Sequence, residues 1–226
     1  MIFDILDTDI YYINLDSQTE RNEEFLSVLR NAGFSIDRIH RVSGVLNSYK
    51  DSFDSHIKAL KIGLTGGKPF IIIEDDMKIN KLPPKIDLYA TGFPYIDAIS
   101  LALSRYGVLD DPTPYNSFRT SFNYVIKSSF GHDYLFRIFN MIVGNAVYYH
   151  NMDYVNYLIN HLETFYRLSE YTSPITGRTY NAFPYMPVDA IMAFVQPTVF
   201  FTALKNPAFY HPGELEWVTR FNLAEI

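Results

Sequence analysis

A chain of 226 residues with 48% hydrophobic and 19% charged residues can bury one sizeable core and is too apolar for wholesale disorder. Its formal charge of −6 excludes a nucleic-acid binder held mainly by phosphate contacts, and the absence of cysteine excludes disulfides and thiolate metal sites. The opening stretch MIFDILDTDIYYINLD lacks the basic lead of a signal peptide, and no apolar run is long enough to cross a bilayer. The expectation is a soluble protein with no membrane span and no nucleic-acid partner. Its 18 Tyr and 18 Phe must mostly be core, though tyrosines also suit a carbohydrate site, where the ring stacks and the hydroxyl bonds.

In chain order, DIYYINL (Asp9 to Leu15) reads as a buried strand. A helix follows, with Ser17 as N-cap and Glu20 completing a capping box, and Gly33 stops it. RIHRVSG predicts a second short strand. SFDSHIKALKIGLTGG predicts a helix from near Asp54 or Ser55 to Gly66 and Gly67, and the strand PFIIIEDD comes next. AISLAL, SFNYVIKS and GNAVYYH read as further strands, DDPTPYN as a loop, and residues 152–168 as an amphipathic helix. SPITGRTYNAFPYMP reads as loop and VDAIMAFVQ as a short helix after Pro187. This alternation predicts one α/β domain over residues 1–226, with a mostly parallel central sheet flanked by helices. In such sheets ligands bind beyond the carboxyl ends of the strands, where Asn14–Asp16 and Glu74–Asp76 both fall.

Three adjacent carboxylates, Glu74, Asp75 and Asp76, at the end of an apolar strand repel one another and raise their own pKa values unless a cation neutralises them. Alternation along a strand would put Glu74 and Asp76 on one face. Few protein oxygens beside substrate phosphates suit Mg²⁺ or Mn²⁺. A solvated acidic turn is the plain alternative. Position at a buried strand end favours the metal, and neutralising a diphosphate leaving group is chemistry that such a site can perform.

YYINLD…ER, RVSGV, SHIKAL and IIIEDD, followed by YIDAISLAL, GNAVYYHN, PVDAIM and NPAFYH, resemble in order and spacing glycosyltransferase family 25, over roughly Ile10 to His211. That family includes lipooligosaccharide and procollagen galactosyltransferases, and related domains occur in capsid-glycosylating enzymes of large algal viruses. The resemblance implies a GT-A fold, a UDP-sugar donor, Mn²⁺ or Mg²⁺, a glycan or glycolipid acceptor, and inversion at the anomeric carbon. It also implies a soluble cytoplasmic enzyme of a bacterial or virus-infected host cell. A retaining transferase and a nucleotide-sugar-binding module without transfer stay open as alternatives. EDD is similar to the family's DXD motif. By that similarity Asp76 binds the metal, Glu74 assists through the ribose or a metal-bound water, Asp75 adds to the donor site, and His211 completes the metal's coordination. Asn14, Leu15 and Arg21 become candidates for base and ribose contacts, with Ser43 and Gly44 lining the same pocket. Arg21 reads equally as an exposed helix residue. Two departures, SFDSH where a cysteine or glycine is usual and Tyr95 where tryptophan is usual, leave the sugar open.

Inverting transfer needs a general base for the acceptor hydroxyl. Asp189 in PVD is the first choice, with helix capping as its alternative. Asp97 is the second, with a strand-edge or core hydrogen-bonding role as its alternative. His56 is expected to orient its helix. Arg105, Arg119 and Lys127 read equally as phosphate contacts or surface ion pairs.

Overall fold

The structure, a computed structural model, describes residues 1–46, 51–91, 95–108, 135–138, 141–143, 146–165, 170–172, 179–181, 188, 192, 195–196, 199–204 and 206–212. Asp189, Arg119, Lys127, SFNYVIKS, DDPTPYN and most of VDAIMAFVQ lie outside the described residues.

The centre is a seven-stranded sheet. In chain order its strands are β1 (Asp9–Asn14), β2 (Ile39–Ser43), β3 (Phe70–Glu74), β4 (Ala98–Ser100), β5 (Leu135–Arg137), β6 (Ala146–Tyr149) and β7 (Phe201–Leu204). Their spatial order is β2-β1-β3-β6-β4-β7-β5. β1 pairs parallel with both β2 and β3, and β7 pairs parallel with β4. β6 runs antiparallel between β3 and β4, and β5 antiparallel beside β7. Five strands therefore end at one common edge.

Three helices cover the sheet: α1 (Thr19–Asn31), α2 (Asp51–Thr65) and α3 (Met152–Phe165). Alternation along β3 divides the core. Phe70 and Ile72 join the cluster containing Phe53 and Leu60 of α2 and Val155, Leu158 and Leu162 of α3. Ile71 and Ile73 join the opposite cluster, with Phe25 and Leu29 of α1. Burial on both faces explains why continuous apolar runs such as Phe70–Ile73, rather than alternating apolar and polar residues, form the central strands. Each such side chain adds about 1.5–3 kcal/mol on leaving water.

Several local expectations change. The helix after β1 begins at Thr19 with Gln18 as its N-cap and without a side-chain cap bond, so the Ser17–Glu20 capping box does not form. A turn closed by Gln18 N–H to the Leu15 carbonyl (2.9 Å) moves the start, and the Asn14 amide donates to the Gln18 carbonyl (3.1 Å). Gly33 ends α1 at φ 96°, as its position predicts. AISLAL splits after Ser100. The Leu101 carbonyl accepts from the Ala208 and Phe209 N–H groups (2.8 and 3.1 Å), and Leu103–Val108 pairs instead with Met141–Val143. Within the supposed loop SPITGRTYN, Thr179–Asn181 pairs antiparallel with Glu170–Thr172.

Gly63 marks where α2 presses closest to the sheet. A Cβ there would lie 2.5–2.6 Å from the Phe70 ring, which is 1% exposed. Tyr11 and Tyr149 hold that ring from its flanks, with centroids 5.6 and 5.4 Å away. Alanine would ordinarily favour a helix by about 1 kcal/mol over glycine, but overpacking a fixed core ring costs about 1–3 kcal/mol. Gly63→Ala is therefore expected to lower the midpoint of urea or thermal unfolding. An unchanged or raised midpoint would mean that α2 stands farther from β3.

Candidate active site at the carboxyl edge of the sheet

The ends of β2, β1 and β3 meet side by side because their register aligns Asn14 with Ser43 and Ile13 with Glu74. β3 stops at Glu74, and Asp75 and Asp76 form a turn in which the Met77 N–H reaches the Glu74 carbonyl (3.3 Å). The strand alternation expected to align Glu74 with Asp76 thus ends one residue too early.

Each acid instead faces its own partner. Glu74 continues the Phe70–Ile72 face toward α2, where His56 Nε2 lies 2.9 Å from its Oε1. That histidine side chain is 6% exposed, so the expected orienting role of His56 is directed at a carboxylate. Asp75, on average the best covered of the three, accepts from the Asn14 amide (2.6 Å) and lies 3.6 Å from Arg21 Nε. Its own N–H donates to the Ile13 carbonyl (3.2 Å), which ties the turn to β1. Asp76 Oδ2 lies 3.4 Å from His211 Nε2. Its Oδ1 is buried and has no hydrogen-bond partner among the described residues.

Asp76 pays for that position. Burial pushes its carboxyl above the usual carboxylate range, the charge of Glu74 adds to this, and His211 only partly opposes it. His211 arrives from far along the chain. β7 points toward the same edge, and the following Phe209–Tyr210 pairs antiparallel with Lys78–Ile79, matching Tyr210 with Lys78. The next residue, His211, is thereby set beside Asp76.

The nucleotide-side candidates also converge. Gly44 N–H donates to the Asn14 carbonyl (2.9 Å), and a Cβ at Gly44 would come within 2.9 Å of the Leu15 side chain. Ser43 Oγ donates to Asp16 (2.9 Å). Arg21, on the first turn of α1 and 39% exposed, points its guanidinium to Asp75 rather than only to solvent. Asn14, Leu15, Arg21, Ser43, Gly44, Glu74, Asp75, Asp76 and His211 thus occupy one edge. Sequence reading missed Arg41, whose guanidinium bonds the Asn14 side chain (2.8 Å) and Asp16 (2.6 Å), holding the Asp16 carboxyl below its usual range. Its one signal was a cation in mid-strand. Lys58 from α2 reaches the Ser43 carbonyl (2.8 Å) and was also missed.

Asp97 lies elsewhere. β6 matches Tyr149 with both Phe70 and Ala98, so Asp97 precedes β4 at the amino edge. Four strand residues, about 13 Å, separate that level from Glu74. Asp97 is 5% exposed, with one oxygen accepting from Asn151 (2.7 Å) and the other from the Phe200 N–H (2.6 Å). These are the bonds of the hydrogen-bonding alternative, made at the edge of the sheet opposite Asp76. The three ligands expected from the sequence are also not assembled as a set: Asp76 meets His211 while Glu74 engages His56, and among the described residues no three acids or histidines form a metal cluster.

No helix among the described residues is long and apolar enough to cross a membrane. No family model matches the sequence, and no curated protein matches it. Among solved structures, the chain is similar to a glycosyltransferase involved in the glycosylation of the major capsid of PBCV-1. The two are 10% identical, with a TM-score of 0.47, over 96% of this chain and 98% of that one.

Because the folded-state pKa of Asp76 is raised, its contribution to stability is present below the unfolded carboxylate pKa and is lost as pH rises through the folded value. In EDTA, Asp76→Asn is therefore expected to be more stable than the native chain at pH 7, with the difference vanishing in acid. Urea unfolding at several pH values checks this. A less stable variant at pH 7 would mean that the His211 contact outweighs the cost of burial.

Proposed function

We propose that this chain is a metal-dependent glycosyltransferase of the GT-A type, taking a sugar from a UDP-sugar to a hydroxyl of a glycan or glycolipid. The observation that carries the reading is Asp76. A carboxylate at the common edge of five strands has one buried oxygen without a partner among the described residues, a charge disfavoured by its surroundings and a histidine alongside. Such an acid fits an incomplete cation site.

The donor set suits Mn²⁺ or Mg²⁺, which take one or two protein ligands and fill their remaining positions with phosphate and water oxygens. Asp76 and His211 would hold the ion, with Glu74 adjacent. When bound, it would neutralise the diphosphate as that group leaves. The chain's own residues supply the rest. Asn14 and Arg21 fix Asp75 and with it the turn that presents Asp76. His56 holds Glu74 back from Asp76, limiting the repulsion between them. Asn14, Leu15, Ser43 and Gly44 form the floor on which a nucleoside would rest, with Arg21 at its side. The order of motifs resembling glycosyltransferase family 25 supports the same reading and assigns the base to Asp189, with inversion at the anomeric carbon.

Calorimetric titration of UDP, with and without Mn²⁺, tests this on the native chain and on Asp76→Asn. Metal-dependent binding is expected, weakened tenfold or more, about 1.4 kcal/mol or more, in the variant. Absence of UDP binding to the native chain would remove the UDP-sugar donor. Binding that is indifferent to Mn²⁺ and to Asp76 would remove the metal site.

A further inference from the structure

At the amino edge of the sheet, opposite the carboxylates, lies a cleft of about 360 Å³ lined by Leu88, Tyr89, Tyr95, Ile96, His150 and Asn151, among others. Tyr89 is 78% and Tyr95 60% exposed. Tyr95 leans on Phe200 at a centroid distance of 5.4 Å, which fixes its ring beside the cleft. Tyr89 is carried on the short helical turn Leu88–Thr91, pinned by its N–H to Asp87 (3.0 Å) and by the Thr91 hydroxyl to the Leu88 carbonyl (2.7 Å). A ring held in place before a ligand arrives, as Tyr95 is by Phe200, loses little entropy on binding.

The polar side chains of the wall are neutral. His150 Nδ1 faces the Tyr148 hydroxyl at 3.2 Å, and among the described residues its Nε2 has no partner. Burial holds its pKa below the ordinary value, so the ring is uncharged at neutral pH. Asn151 is oriented by its bond to Asp97 (2.7 Å), which gives the buried Asp97 a use: it sets one wall of this cleft. Among the described residues, no acidic or basic side chain other than this neutral histidine lines it, and the Met1 ammonium at its rim already faces Asp87 (3.4 Å). A phosphate or nucleotide would have to compete with that carboxylate for the one cation there. A sugar ring presents apolar C–H faces for stacking and uncharged hydroxyls for an imidazole and an amide.

We propose that this cleft is a second carbohydrate-binding site, which holds a neutral sugar unit on Tyr89 and Tyr95 away from the reacting centre. Its separation from the carboxylates, about 13 Å or more by strand length, means that the sugar held here is not the one transferred. On the transferase reading it is a distal unit of the acceptor glycan, and the site deepens that reading. The carbohydrate site itself stands on the cleft alone.

Saturation-transfer NMR with methyl glycosides of the common hexoses, pentoses, 6-deoxyhexoses and N-acetylhexosamines tests it on the full chain. At least one glycoside is expected to bind. Tyr89→Ala, a change at an exposed ring, should weaken it tenfold or more, Tyr95→Phe should retain it, and Asp76→Asn should leave it unchanged. UDP binding with Mn²⁺ should persist in Tyr89→Ala, so that failure of the donor site and failure of this cleft are read separately. Binding by none of these glycosides, binding that survives Tyr89→Ala, or binding lost with Asp76→Asn would each overturn the proposal.

Discussion

Three consecutive carboxylates at the end of a buried strand must be kept apart, and the edge of this sheet is organised around that constraint. The solution is geometric. One acid stays on the strand and meets a histidine from α2, and the next two turn away to a strand–helix pair and to a segment from the far end of the chain. Parallel pairing makes this possible, since neighbouring strands bring Asn14, Ser43 and Glu74 to the same level.

The three partners are unequal. Asp75 is satisfied by an amide and an arginine, and Glu74 by a nearly buried imidazole, so both acids work as struts. Among the described residues, Asp76 keeps an unsatisfied buried oxygen. A buried polar atom without a partner costs about 1–3 kcal/mol and is rarely retained without use. The sheet thus concentrates its electrostatic cost on one side chain, at the edge where five strands end.

The opposite edge follows a different logic. Asp97 is an acid with no such deficit: the Phe200 N–H and the Asn151 amide take both of its oxygens, and its carbonyl accepts from the His150 and Asn151 N–H groups (2.9 and 3.1 Å). It joins the start of β4 to the end of β6 and to the approach of β7. Two acids that look equally catalytic as letters are therefore divided by hydrogen-bond supply, one spent on structure and one left poised.

The sequence by itself determined the mixed α/β class, the buried strands around Ile10, Ile71 and Val147, and the arrival of acids at a strand end. Those features follow from local pattern: apolar runs of strand length, helices of period 3.6 and glycines such as Gly33 where the chain must turn. Only the tertiary structure decided that β6 enters antiparallel between β3 and β4, that Asp97 lies at the amino edge, and that Arg41 and Lys58 brace the ends of β1 and β2. It also decided that Glu74 belongs to His56 while Asp76 belongs to His211, 135 positions later in the numbering. Pattern reports which face of its own element a residue occupies. Which carboxylate loses its water, and which finds a partner, depends on strand order and on segments that meet only when the chain has closed.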